Sequence, residues 1–216
     1  MKYFPLFLDI DGKSCLVVGG GEVGARKAGT LDRCGAGVTV VSPAFSERFK
    51  ALAHRITCIR KKYEPGDIEG MSLVFAATDN ARLNRRIQQD ARERSVWCNV
   101  ADGPGHSDFI LPSVIERGDL ILAVSTSGSS PALARKIRLE LEEMFGPEYE
   151  KILRVMGGIR KKLLASGHAP ETHKKLFYTL IESGMLEWIK DDETDRINIF
   201  LADLLGKDYT YQELVS

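Results

Sequence analysis

Cys15-Leu16-Val17-Val18-Gly19-Gly20-Gly21-Glu22-Val23-Gly24 decides how this chain is read. Four apolar residues run unbroken into three glycines, the pattern of a strand buried on both faces that stops at a tight turn. A helical pattern follows from Glu22 to about Cys34, with Val23, Ala28 and Leu31 near one face and Gly35 and Gly37 closing it. Val38-Thr39-Val40-Val41 is a second strand, stopped at Ser42-Pro43. Working outward, 56–59 reads as a weaker third strand and Leu73-Val74-Phe75-Ala76-Ala77 as a strong fourth. Residues 80–94 form a helical stretch with Leu83, Ile87 and Ala91 four apart, and Trp97-Cys98-Asn99-Val100 is a fifth strand. This alternation predicts an α/β fold with a parallel sheet and crossover helices.

The pattern changes after Pro104. Asp108-Phe109-Ile110-Leu111-Pro112 and 119–124 read as two further strands with no long helix between them. Ser130-Pro131 then opens a helix, the serine placed to cap and the proline at the first helical position. Helical patterns cover roughly 131–145, 148–165, 170–183 and 194–205. The chain therefore divides into an α/β half, a short mixed middle and a helical tail.

Composition excludes several classes. The 216 residues carry 30 basic and 30 acidic side chains, so no global field draws the chain to nucleic acid or to an anionic membrane. The longest apolar runs fall far short of a bilayer span, and the first residues do not resemble a signal peptide. Cys15, Cys34, Cys58 and Cys98 are scattered without a C-x-x-C pair. Reduced, buried thiols in a cytoplasmic protein are expected, and a zinc site is not. No His/Cys/Glu cluster has metal-ligand spacing, so no stably bound metal is expected.

The glycine turn fits G-x-G-x-x-G at Gly19, Gly21 and Gly24, in the strand-to-helix context that the motif needs. Gly19 permits the turn, Gly21 lets the backbone approach a pyrophosphate, and Gly24 lets helix pack on strand. This favours a dinucleotide-binding, Rossmann-type unit over a glycine-rich turn that binds nothing. The ribose-binding acid usual for NAD is missing, since Thr39 through Ala44 include no carboxylate. Ser42 and the backbone of Pro43 and Ala44 are the polar groups available there, and the lack of an arginine in that turn leans towards NAD over NADP. Thr78 and Asp79, after the fourth strand, read equally as cofactor neighbours and as helix caps. Asp102 lies in a turn-forming Asp-Gly-Pro-Gly and His106 just after it, each a candidate proton carrier or a plain loop residue. The hydroxyls of Ser125, Thr126 and Ser127 could hold an anion or merely close a capped loop.

Several segments together resemble the precorrin-2 dehydrogenase/sirohydrochlorin ferrochelatase family, the amino-terminal module of siroheme synthase. They are Pro5-Leu6-Phe7, the run from Cys15 to Val23 with Arg26-Lys27-Ala28, and Ala76-Ala77-Thr78-Asp79. Cys98-Asn99-Val100-Ala101-Asp102, Phe109-Ile110-Leu111-Pro112-Ser113 and Ser130-Pro131-Ala132-Leu133-Ala134-Arg135 complete the likeness, in order over about 1–140. The resemblance implies a Rossmann NAD-binding domain over 1–112, a mixed α/β dimerisation region over 113–146, and an all-helical domain over 147–216 that helps enclose a tetrapyrrole. It implies oxidation of precorrin-2 to sirohydrochlorin with NAD, then insertion of Fe²⁺, a transient substrate, to give siroheme in a cytoplasmic homodimer.

Carried over by position, the family's catalytic aspartate falls on Asp102, the cofactor turn on Glu22 and Val23, and the second-strand end on Pro43 and Ala44. The alternatives are a dehydrogenase without chelatase activity and, outside the family's chemistry, an NAD(H)-binding redox sensor. A substrate rich in carboxylates favours basic partners. Arg135, Lys136, Arg138, Arg154 and Arg160-Lys161-Lys162 are candidates, or else a solvated face paired with Glu140, Glu142 and Glu143.

Overall fold

The computed structural model describes residues 2–101, 105, 107–165 and 173–215. They form two compact units, Met1–Leu111 and Pro112–Ser216. In the first, β1 (Ser14–Val18), β2 (Gly37–Ser42), β3 (Thr57–Arg60), β4 (Leu73–Ala76) and β5 (Trp97–Val100) form one sheet in the order β3-β2-β1-β4-β5. Every neighbouring pair is parallel. The strand order reverses at β1, so the crevice beyond its carboxyl end, where the glycine turn begins, is the usual ligand position of such a sheet.

Side chains alternate across the sheet and build two cores. Cys15, Val17, Val38, Val40, Leu73 and Phe75 pack beneath α1 (Glu22–Arg33) and the 3-10 turn Glu47–Ala51. Leu16, Val18, Val41, Val74, Ala76, Cys98 and Val100 pack on the other face with Ile87 and Ala91 of α2 (Ala81–Glu93) and Ile68 of the 3-10 turn Pro65–Ile68. The stripe of α1 is Gly24, Ala25, Ala28 and Leu31. Val23, expected on that stripe, is exposed.

The thiol expectation holds for half the cysteines. Cys15 and Cys98 are buried, and burial pushes their thiols up to about 11 and about 12 respectively. Cys34 and Cys58 are exposed, the first because it lies past the end of α1, the second because all four residues of edge strand β3 are exposed.

In the second unit, β6 (Ser113–Arg117) and β7 (Leu120–Val124) pair as an antiparallel hairpin. The strand expected at 108–112 therefore begins later. Residues 108–109 instead return beside β5, held partly by side-chain hydrogen bonds rather than by a ladder. Among the described residues six helices follow: α3 (Pro131–Met144), α4 (Glu148–Ala165), α5 (Lys174–Glu182), α6 (Met185–Lys190), α7 (Thr194–Leu205) and α8 (Tyr211–Val215). Val155, Ile159, Leu180, Met185, Ile189, Ile197, Leu201 and Leu214 form a core shared by α4 to α8. The short helices α6 and α8 were not foreseen, because one or two turns carry too little periodicity to read.

Candidate dinucleotide and substrate site

The turn between β1 and α1 is made of glycines for two different physical reasons. A Cβ on Gly19, where φ is +126°, would fall on the Ala77 carbonyl oxygen, one on Gly20 on the Ala44 carbonyl oxygen, and one on Gly24 on the Gly19 carbonyl oxygen. These three positions let the ends of β1, β2 and β4 close together. Gly21 differs, because a Cβ there would meet nothing within 4 Å. Open space thus lies beside the head of α1. Gly21 is the N-cap and supplies no side-chain cap, and the first-turn N–H groups have no acceptor within the helix. An uncapped, positively polarised helix end facing open space fits a diphosphate.

The walls of the crevice are fixed by side chains. Ser42 is buried, and its hydroxyl donates to the Ala44 carbonyl oxygen at 2.7 Å, so it shapes the second-strand turn while Pro43 and Ala44 stay exposed. Ser46 donates its backbone N–H to the Gly20 carbonyl oxygen at 2.7 Å, yet its own Oγ is buried with no hydrogen-bond partner. On the β4 side, Thr78 donates from Oγ1 to Asn84 Oδ1 at 2.6 Å, and Asn84 Nδ2 donates back to the Thr78 carbonyl oxygen at 3.0 Å. The cap of α2 is Asn80, whose side chain accepts from the Leu83 N–H at 3.0 Å. Capping is therefore not the work of Asp79, and Thr78 is held as part of the wall.

These observations place Gly19, Gly21, Gly24, Ser42, Ala44 and Thr78 around one edge, with Glu22 and Val23 exposed at the head of α1. A family model described as putative NAD(P)-binding matches residues 6–113. The chain belongs to this NAD(P)-binding family. A second model, sirohaem biosynthesis protein central, matches residues 117–144. The siroheme synthase of Thioalkalivibrio sulfidiphilus is 37% identical over 197 residues, which are 90% of this chain and 40% of the relative. That of Methylobacillus flagellatus is 40% identical over 154 residues, 70% of this chain and 33% of the relative. The chain thus spans roughly a third to two fifths of the relatives it matches. The solved structure of SirC, precorrin-2 dehydrogenase, superposes with a TM-score of 0.70 at 24% identity, covering 85% of this chain and 92% of that one. At that identity the likeness is one of fold.

Within this NAD(P)-binding framework, sequence reasoning missed four residues. Asn84 and Asn99 are buried polar side chains that set turns, and Asn84 occupies what periodicity reads as a core position. Arg48 lies beyond the second-strand turn, but the fold brings it into an ion pair with Glu22. Lys27 reaches from α1 to the sheet, donating to Asn99 Oδ1 at 2.8 Å with its ammonium 5.1 Å from the Phe75 ring centroid. Burial, and then the neighbouring Arg26 charge, lower Lys27 from 10.5 to about 8. Lys27 and Asn99 stand in segments that carry the family resemblance, yet the contact that defines each of the four is made by what another element brings to it.

Asp102 and His106 lie outside the described residues. Ser125, Thr126, Ser127 and Arg135 belong to the second unit. Ser125 Oγ accepts from the Ser127 N–H at 3.1 Å, and Thr126 Oγ1 donates to the Ser130 carbonyl oxygen at 2.9 Å and accepts the Ser130 N–H at 3.1 Å. This loop closes on itself. Arg135 is exposed on α3, while Lys136, Arg138 and Arg154 pair along their helices with Glu140, Glu142 and Glu150. Lys162 pairs with Glu213, and Arg160 stacks on Phe177 at 5.2 Å. Arg160, His173, Lys174, Phe177 and Tyr178 help line a cavity of about 520 Å³ within the helical unit. Among the described residues no group of three metal-ligating side chains gathers, and no helix is long and apolar enough to cross a membrane.

Proposed function

We propose that this chain oxidises precorrin-2 to sirohydrochlorin with NAD⁺ and then inserts Fe²⁺ to give siroheme, as a cytoplasmic homodimer. The observation that carries the reading is the open cradle at Gly21, in a chain that belongs to an NAD(P)-binding family and matches siroheme synthases. The N–H groups of Glu22, Val23 and Gly24 hold the diphosphate, and the second-strand turn at Ser42, Pro43 and Ala44 takes the ribose side. Thr78 and Asp79 border the half of the crevice nearer β5. Bound NAD⁺ supplies the acceptor for the hydride that leaves the macrocycle. Asp102 is assigned the base that takes the accompanying proton, and the pyrrole protons as metal enters; ionised carboxylate is the form that serves.

Two features of the second unit support the rest of the reading. The hairpin leaves Val114, Ile121 and Ala123 exposed on one face, and a two-stranded sheet is marginal alone, so a second copy is the proposed cover for 113–146. The cavity of the helical region combines aromatic walls with Arg160 and Lys174, which suits a flat macrocycle with carboxylates at its rim. Ser125, Thr126, Ser127 and Arg135 are further proposed substrate contacts.

The test is spectrophotometric. Purified protein with precorrin-2 and NAD⁺ should develop the sirohydrochlorin spectrum, and added Fe²⁺ should convert it to siroheme above the spontaneous rate. No sirohydrochlorin would reject the reading, and no metal-dependent step would leave a dehydrogenase alone.

A further inference from the structure

The seam between β5 and the segment returning beside it is built mainly from side chains. Asp108 accepts the Cys98 N–H on Oδ2 at 2.8 Å, and Ser107 accepts the Val100 N–H on Oγ at 2.9 Å. Asp108 returns its own N–H to the Cys98 carbonyl oxygen at 2.9 Å. Asn99 completes the seam by donating from Nδ2 to the Phe109 carbonyl oxygen at 2.9 Å. In the sequence, Asp102 falls between Val100 on one side of this seam and Ser107 on the other.

Lys27 is the one group in this set that comes from another layer. Its ammonium can only donate, so it obliges Asn99 to present Oδ1 to it, and the amide nitrogen is then turned to a carbonyl that can only accept. A solvent-exposed or apolar residue at 27 would leave the amide without that constraint. No carboxylate pairs with Lys27 among the described residues. The groups presented to it are Asn99 of β5 and the ring of Phe75 of β4, with Phe109 edge-on to Phe75 at 5.6 Å and Arg26 its charged neighbour on α1. A half-buried cation held by a neutral amide and a ring is poorly compensated for the water it gives up. Stability alone does not account for it.

We infer that Lys27 is a positioning residue: acting through Asn99, it sets the seam between β5 and residues 107–109, which flank Asp102 in the sequence. Its consequence for turnover rests on the proposed oxidation of precorrin-2, in which Asp102 is the base. Its consequence for the seam does not.

Residue-resolved amide exchange reads the seam directly. In Lys27→Met the Cys98, Val100 and Asp108 amides should lose protection about tenfold, while amides of β1 and the global denaturation midpoint stay level or rise. Lys27→Arg should restore protection to within about threefold of the parent. Asn99→Leu should cost at least as much, and the double variant no more than Asn99→Leu alone. Unchanged protection in Lys27→Met, additive losses, or a general loss of protection that includes β1 would each overturn the inference. With precorrin-2 and NAD⁺, Lys27→Met should lower kcat about tenfold at unchanged KM for NAD⁺, and unaltered kcat alongside a loosened seam would overturn the catalytic half. Absence of turnover in the parent would reject the proposed reaction and leave the exchange result to decide the seam.

Discussion

Two turns in this chain lead from a strand into a helix and differ in chemistry. The turn from β7 into α3 uses its own polar groups: Ser125 and Thr126 bond within the loop, Ser130 caps the helix by accepting the Leu133 N–H at 3.2 Å, and Pro131 has no N–H to satisfy. The turn from β1 into α1 leaves its polar groups over. Gly21 offers no cap, and open space lies beside it. A turn that satisfies its own donors is a structural cap. A turn that leaves them pointing at accessible space is a place for an anion.

The comparison can be broken by experiment. The largest expected effect is in Asp102→Ala, where loss of the base should cut turnover by about a hundredfold or more, with NAD⁺ affinity unchanged by calorimetry. Intact turnover would move the base elsewhere.

Gly21→Asp should come next. It puts a carboxylate where a diphosphate approaches, so NAD⁺ affinity should fall by about thirtyfold or more while the thermal midpoint holds. Gly20→Ala makes the reverse demand, since its Cβ falls on the Ala44 carbonyl oxygen; stability should fall by about 2 kcal/mol or more in denaturant. If both variants lose only affinity, or both only stability, the division of labour among the glycines is wrong.

Ser130→Ala tests the other turn, with an expected loss of about 1 kcal/mol for a missing cap and no change in NAD⁺ binding. A large loss of turnover there would erase the contrast between the two turns.

The smallest effect is the pH response of Lys27. Its folded value of about 8 lies below the ordinary 10.5, so between these values the unfolded chain binds more protons than the folded one. Stability should therefore rise with pH through that window, its cost being fully present below it. Lys27→Met should flatten this slope in denaturant titrations, and a slope that survives would assign it to another group.

The legibility of the fold follows from the same physics. β1, β2 and β4 are apolar runs because parallel strands are covered on both faces, and such runs read directly. The strand placed at 108–112 failed because its apolar residues serve a different end. Phe109 packs on the core of the α1 face, and Asp108 spends its carboxylate on a β5 amide. Val23 failed because periodicity assigns a face but not which end of the helix lies clear of the sheet.

From the chain alone came the parallel sheet, the glycine turn, the capped entrance to α3 and the helical character of the tail. Each depends on residues close in sequence, whose spacing and backbone freedom act locally. The fold alone supplied the difference between Gly21 and its neighbours, the wall set by Asn84, the pairing of Arg48 with Glu22, and the reach of Lys27 to Asn99. Those depend on which atoms from distant segments fill, or leave open, the space around a residue, and spacing along a chain does not encode that space.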